Sequence, residues 1–196
     1  MADLIPAATT SVLIPIGDLS LADRATMRAE VDANLVEFAI QKRITTDPKE
    51  LVVRDTEPFT DLGLTGSSNG EDWLIPGAAT AGTLLQYFNR TLSQTQAIAF
   101  YGAGSPMAAP QVSALKFFFG STQAQTRAYY NLEKLWLRLE TDGYFGTPLF
   151  WGPQEVVTVS VMPISNFAAG TERLILHART VEQFGQTISA KNATVG

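Results

Sequence analysis

The chain of 196 residues carries a net charge of −5, contains no cysteine, and is 45% hydrophobic but only 17% charged. The length fits one large domain with a real core, and the missing cysteines exclude disulfides and thiolate metal sites. The net charge is negative and the sequence contains no cluster of basic residues. Nucleic-acid binding and electrostatic docking on an anionic membrane are therefore not expected as the main role. The low charged fraction also predicts that partners cover part of the surface.

Residues 1–17 form the first segment, in which Pro6, Pro15 and Gly17 interrupt short apolar groups and no period is sustained. We predict an extended N-terminal arm for this segment and a single β-sandwich domain for residues 18–196. The segment lacks a basic leader, and Pro15 breaks its longest apolar run, so the pattern indicates neither a signal peptide nor a transmembrane span.

A helix is predicted to begin at Ser20, because Asp23 follows three residues later as in a capping box. The apolar residues behind this start form a loose helical stripe, namely Leu21, Met27, Val31 and Leu35. Further along, Val36, Phe38 and Ile40 alternate with polar neighbours, which favours a strand, and residues 51–54 favour a second strand after a turn.

After a small, polar and glycine-rich loop at residues 60–71, the chain is predicted to consist mostly of short strands. The candidate strands are residues 72–76, 83–90, 96–101, 112–120, 135–140, 148–151, 155–163 and 173–184. One helix is predicted over residues 121–132, because Ser121 is suited to cap it and Ala124, Ala128 and Leu132 repeat every four residues. Such spacing predicts a mainly β fold, a sandwich or barrel with one or two short helices.

One short motif matches a catalytic pattern, since GSSNG at residues 66–70 fits G-x-S-x-G and Asp142 and His177 follow in the order of α/β-hydrolases. A nucleophile elbow requires an apolar strand before Ser68 and a helix after it. The stretch DLGLT precedes the motif, and Pro76 soon stops any helix. We therefore interpret the motif as a surface loop and predict no catalytic residues.

The sequence likewise predicts no metal or cofactor site. His177 is the single histidine, and a zinc site built from one histidine and carboxylates is unusual. The acidic residues between positions 47 and 72 lack the spacing of a calcium-binding EF-hand loop. GAGS at residues 102–105 lacks the third glycine of a dinucleotide fingerprint and is interpreted as a turn.

Aromatic residues are the more informative feature. Phe117, Phe118 and Phe119 are consecutive, so a strand places Phe118 on the face opposite the other two, and both faces need cover. That cover comes from the same domain, from a neighbouring subunit or from a sugar. The residues predicted as candidates for subunit contact are Leu4, Ile5, Val12, Leu13, Ile14, Phe100, Tyr101, Phe118 and Trp151.

Residues 112–184 present in order the strand VSALKFFFG, a short predicted helix, the stretch LRLETDGYFGTPLFWGPQEVVTVSVMPI and the strand ERLILHARTVEQF. This order resembles single jelly-roll capsid proteins of icosahedral viruses, especially the small vertical ones of membrane-containing bacteriophages. The resemblance implies a jelly-roll sandwich of about eight strands, with loops and arm contacting neighbours and no cofactor.

A shell subunit of this kind implies copies of itself and other coat proteins as partners. It also implies a virion that is assembled in the host cytoplasm. In that virion the subunit can lie close to a membrane without spanning it. Three alternatives stay open. One is a carbohydrate-binding sandwich in which Trp73, Tyr101 or Trp151 stacks on sugar rings. Another is a virion attachment or decoration protein, and the third is a small hydrolase using Ser68 and His177.

Overall fold

The computed structural model describes residues 11–64 and 72–184. The strands of these two ranges are β1 (Leu13–Pro15), β2 (Leu51–Asp55), β3 (Leu85–Thr91), β4 (Gln96–Gly104), β5 (Val112–Phe119), β6 (Gln125–Asn131), β7 (Asp142–Trp151), β8 (Val156–Pro163) and β9 (Ile175–Gln183). The α-helices are α1 (Leu21–Gln41), α2 (Pro58–Leu62) and α3 (Glu133–Trp136), and two single-turn 3-10 helices span Ile16–Asp18 and Pro48–Glu50.

The strands pair in a nested order, all antiparallel: β2 with β9, β3 with β8, β4 with β7, and β5 with β6. Two more pairs, β4 with β9 and β5 with β8, join them into sheets. One sheet has the order β1-β7-β4-β9-β2 and the other β3-β8-β5-β6. A long antiparallel hairpin wound up in this way is a jelly roll, so the predicted fold class is confirmed.

Between the two sheets lies the main core. Val157, Val159 and Val161 of β8 are fully buried there, which confirms the face predicted from their alternation. Aromatic rings fill the centre: the Phe100 ring lies 5.4 Å from Phe117 and 5.4 Å from Trp151, measured between centroids. Together these side chains remove a large apolar area from water and hold the sheets face to face.

Helix α1 forms a third layer on the outer face of the five-stranded sheet. Ser20 caps it as predicted, because its Oγ accepts from the Asp23 backbone N–H while the Asp23 carboxylate accepts from the Ser20 N–H. Buried residues at four-residue spacing, Val31, Leu35 and Ala39, pack in one cluster with Ala97, Ala99 and Val181. The small alanines of β4 let the helix approach the sheet closely.

Because the helix continues to Gln41, one expectation from the sequence is wrong. The alternation of Val36, Phe38 and Ile40 does not mark a strand, since these residues lie on a helix whose stripe through Leu35 and Ala39 is buried. Helix α1 has 21 residues. The strand predicted at residues 51–54 is confirmed as β2.

Residues 121–132 are not a helix, because residues 125–131 form strand β6 paired with β5. Ala128 lies on β6 and Leu132 in the loop after it, and both are buried in the core. Pairing with β5 therefore overrides the helical spacing of these residues. Residues 135–140 are not a strand either, since α3 and the turn after it occupy this stretch. Residues 72–76 contribute only an isolated bridge between Leu74 and Arg173.

Helix α2 closes the edge of the sandwich between β2 and β3 and brings a buried carboxylate, Asp61, to the sheet. The guanidinium of Arg54 donates two hydrogen bonds of 2.7 Å to Asp61, and Gln96 donates one of 2.8 Å. Arg54 also donates to Glu182 at 2.7 Å. Burial lowers the pKa of Arg54, but its bonds to Asp61 and Glu182 outweigh burial and raise the pKa above its ordinary value.

We predict that Asp61→Asn lowers the free energy of unfolding by about 1–3 kcal/mol, because the neutral amide cannot accept both hydrogen bonds from Arg54 and leaves Glu182 as its remaining carboxylate partner. Chemical denaturation with urea measures the change. The matched control is Asp18→Asn, which breaks the exposed ion pair between Asp18 and Arg138. A loss at Asp61 no larger than that of the control would show that this network does not fasten α2 to the sheet.

Candidate functional site

Four of the residues predicted to contact other subunits are buried by the chain itself. Phe100 is 0% exposed, Trp151 2%, Phe118 3% and Tyr101 8%. Phe100 and Trp151 lie in the core between the sheets, and Tyr101 packs in the cluster beneath α1. The prediction of subunit contact through these side chains is therefore corrected, because the second sheet and the helix supply the cover that the sequence could not assign.

The β5–β6 turn reaches the outer face of the four-stranded sheet, to which Phe118 points. The carbonyl of Gly120 accepts a 2.7 Å hydrogen bond from Thr158 Oγ1 on β8, and the carbonyl of Ser121 accepts one of 3.3 Å from Asn89 on β3. Gly120 has φ +69°, a conformation that glycine adopts without steric cost, so the turn can fold back onto the sheet. Cover for the second aromatic face thus comes from the same domain.

The predicted contact residues near the N-terminus lie on β1 or just before it. Val12 is 65% exposed, whereas Leu13 and Ile14 are half-buried. Leu13 pairs with Phe145 and Ile14 with Tyr144, so β1 extends the five-stranded sheet at its β7 edge. Leu4 and Ile5 lie outside the described residues. Val12 thus remains available at the surface, while its two neighbours pack on the chain itself.

Among the described residues, the most exposed large apolar side chains belong to the β6–β7 loop, where Leu137 is 84% and Leu139 92% exposed. Neither residue was predicted as a contact, because Leu135, Leu137 and Leu139 alternate like a strand with one covered face. The structure instead buries Leu135 and turns the other two outward, with Leu139 at φ +57°. Arg138 between them forms an ion pair with Asp18 at 2.7 Å, which ties the loop to the segment before α1.

Leu139 also lines a shallow hollow of about 230 Å³ together with Met107, Pro110 and Trp136. The indole Nε1–H of Trp136 donates a 2.6 Å hydrogen bond to the carbonyl of Val112, which anchors the loop to the start of β5. The hollow lies between the β4–β5 and β6–β7 loops, at one end of the sandwich. We call Met107, Pro110, Trp136, Leu137 and Leu139 the loop patch.

His177 and Asp142, two residues of the hydrolase pattern, do meet in the structure. His177 Nε2 lies 2.9 Å from Asp142 Oδ1, and the imidazole stacks on Tyr144 with centroids 5.4 Å apart. Glycine at position 102 of β4 is required by this arrangement, since a Cβ there would lie 2.8 Å from the His177 Cδ2 atom. Ser68, the third residue of the pattern, falls outside the described residues.

The remaining predicted features have these positions. Of the three rings considered for sugar stacking, Tyr101 and Trp151 are buried and Trp73 is half-buried against the core. In residues 11–64 and 72–184, no group of three or more histidine and acidic side chains could hold a metal ion. Within the same ranges, no helix is both long and apolar enough to cross a membrane.

No protein-family model matches the chain, and no curated protein matches it. Among solved structures, a chain from a cryo-electron microscopy structure of rhinovirus-B5 is 14% identical and gives a TM-score of 0.23. The match covers 72% of this chain and 75% of the rhinovirus chain. A TM-score this low carries no argument, and the jelly-roll assignment rests on the nested strand pairing.

The Asp142–His177 contact predicts a specific pH dependence of stability. Burial raises the pKa of Asp142, but the hydrogen bonds from His177 and Thr141 outweigh burial and lower it below 3.8. Folding therefore gains stability from the ionised carboxylate above the unfolded-state pKa, and loses it as the pH falls through the folded-state pKa. We expect Asp142→Asn to destabilise the protein near neutral pH, with the difference from wild type shrinking as the pH falls through the lowered pKa of the Asp142 carboxyl.

Chemical denaturation at each pH measures that difference. The control is Glu30→Gln, which changes an exposed carboxylate on α1 and should leave the unfolding free energy unchanged. A difference between Asp142→Asn and wild type that stays constant over the whole pH range would contradict the expectation.

Proposed function

We propose that this chain is a structural coat protein that assembles with copies of itself and with other coat proteins into an icosahedral virion shell. The observation that carries the proposal is the loop patch: a jelly roll presents Leu137 and Leu139 almost fully exposed at one end, beside an apolar hollow. Exposed apolar surface of this kind marks sites of protein contact.

Three further features support the proposal. The jelly roll is an architecture of viral capsid proteins, although lectins and cupins share it, so the fold alone decides nothing. The stretch that resembles bacteriophage coat proteins, residues 112–184, supplies strands β5 to β9. The charged fraction of 17% suits a chain whose surface is partly covered by neighbours.

In this proposal the partners are copies of the chain and other coat proteins, as in membrane-containing bacteriophages. Val12 and the loop patch supply apolar contacts, and the virion is the location. Burial of each exposed leucine against a neighbour contributes roughly 1.5–3 kcal/mol to association. Two leucines on one loop therefore suffice to decide whether a weak subunit contact forms.

We predict that the purified wild-type chain forms species larger than its 21.2 kDa monomer. The double variant Leu137→Ser with Leu139→Ser should weaken self-association at least tenfold, because it removes roughly 3 kcal/mol or more of apolar contact. Size-exclusion chromatography with light scattering and negative-stain microscopy give the two readouts. Thermal unfolding should stay unchanged, since both side chains are exposed in the subunit.

The matched control is Phe59→Ser, which removes a side chain that is 52% exposed on α2, away from the loop patch. This variant should assemble like wild type. A wild-type chain that stays monomeric at high concentration, and that no other coat protein recruits to a particle, would contradict the proposed function. If Phe59→Ser weakens self-association as much as the double leucine variant does, the loop patch is not the contact surface.

A further inference from the structure

An open cavity of about 350 Å³ lies where the C-terminal part of α1 meets the β7–β8 turn. Its size is within the range of about 300–1,000 Å³ that is typical of small-molecule sites. Aromatic rings form its walls, and we name it the Arg127 pocket after the cation between them. The rings are those of Phe38, Phe119, Phe150 and Trp151.

A β-bulge aims Arg127 into this cavity. Along β5, Phe117 pairs with Ala128 and the next residue, Phe118, pairs with Thr126, so Arg127 is an extra residue in the edge strand β6. Bulges redirect the side chain of the extra residue and are frequent beside binding sites. Here the Arg127 side chain crosses the open edge of the sandwich toward the five-stranded sheet.

The guanidinium of Arg127 contacts rings but no carboxylate. Its Cζ lies 4.0 Å from the ring centre of Trp151 and 5.4 Å from that of Phe119. Its Nη2 donates a 2.6 Å hydrogen bond to the carbonyl of Phe150. Among the residues that the structure describes, none forms an ion pair with Arg127. A half-buried arginine is ordinarily paired with an anion, because losing water is costly for the charge.

The acidic side chain that lines the pocket, Glu155, already has hydrogen-bond partners other than Arg127. Glu155 accepts from Lys42 Nζ at 2.6 Å with one carboxylate oxygen, and from the Gly152 N–H at 2.9 Å with the other. Burial lowers the pKa of Arg127. The negative charge of Glu155 acts in the opposite direction and raises this pKa, but only through space and without a hydrogen bond. Because Lys42 and Glu155 neutralise each other, the pocket carries one uncompensated positive charge.

We propose that the Arg127 pocket binds a small organic carboxylate with an apolar body. The carboxylate accepts from the guanidinium donors that the Phe150 carbonyl leaves unused, which replaces the missing counter-charge. The apolar body lies between Phe38 and Phe119, where it covers ring surface that faces solvent. The single net charge of the pocket matches a monoanion. This site does not depend on the coat function, since the loop patch lies at the other end of β6.

The test uses 4-phenylbutyrate as the probe and its uncharged amide, 4-phenylbutyramide, as the matched ligand. Titration is followed by calorimetry and by the indole N–H resonances of the three tryptophans. We expect saturable binding of the carboxylate with a Kd of about 1 mM or tighter, as the size of the probe allows. The Trp151 resonance should shift, and the amide should bind at least tenfold more weakly because it lacks the charge for Arg127.

Arg127→Met keeps an unbranched, flexible side chain and removes the charge, and it should weaken carboxylate binding at least tenfold while leaving amide binding nearly unchanged. The matched control is Lys116→Met, which also removes a cation lying over a ring, in this case 5.6 Å from the centre of Tyr129. Lys116 does not line the pocket, so this variant should bind like wild type.

Three outcomes would overturn the proposal: no saturation with carboxylate at about 10 mM, equal affinity for carboxylate and amide, or equal weakening by the two variants. If Arg127→Met does not fold, Arg127→Lys keeps the charge but lacks the planar donors, and it should bind the carboxylate more weakly than wild type. The comparison of carboxylate with amide on wild type decides the question without any variant.

Discussion

The two sheets are joined through one cluster of rings, and the position of every surface described above depends on it. Phe100 on β4 contacts Phe117 on β5 and Trp151 on β7, and Phe117 also meets Phe145 at 5.8 Å and Tyr130 at 6.2 Å. With one exception, consecutive strands from β2 to β9 lie in opposite sheets, so nearly every connection carries the chain from one side of this cluster to the other. Ring packing between the sheets and hydrogen bonding within them therefore depend on each other.

Local pattern was sufficient to predict much of the sheet content. The alternation of Val157, Val159 and Val161 marked β8, and six of the other candidate segments became strands or parts of strands. The nested pairing could not be predicted. Leu51 pairs with Gln183, which is far away in the sequence, and neither strand carries a sequence signal that identifies the strand it pairs with. The helix after Ser20 could be predicted from its capping box, but its length depended on burial against β4.

The candidate sites were harder to predict, and for a physical reason. Sequence shows how apolar a segment is, but a strand has two faces and a loop has no fixed face, so the sequence does not show which residues are covered. Phe100 and Trp151 were expected at an interface and are buried in the core instead. Leu137 and Leu139 looked like the covered face of a strand, yet the turn after α3 exposes both. Arg127 gave no signal, because a bulge between β5 and β6 is a property of the pairing.

The Arg127 pocket and the loop patch are both anchored to the core of the sandwich, and this affects the entropy cost of binding at each. Trp151 presents its ring edge-on to Phe100 in the core, at an interplanar angle of 88°, while Arg127 lies over the same ring from the pocket. The loop patch is anchored by the Trp136 hydrogen bond to β5 and by the Arg138–Asp18 ion pair. Because these supports connect both features to the core, the two proposed binding surfaces are ordered by the fold itself, which lowers the entropy cost of any binding there. The two features lie at different ends of the sandwich, so the proposed subunit contact and the proposed ligand site do not compete for the same surface.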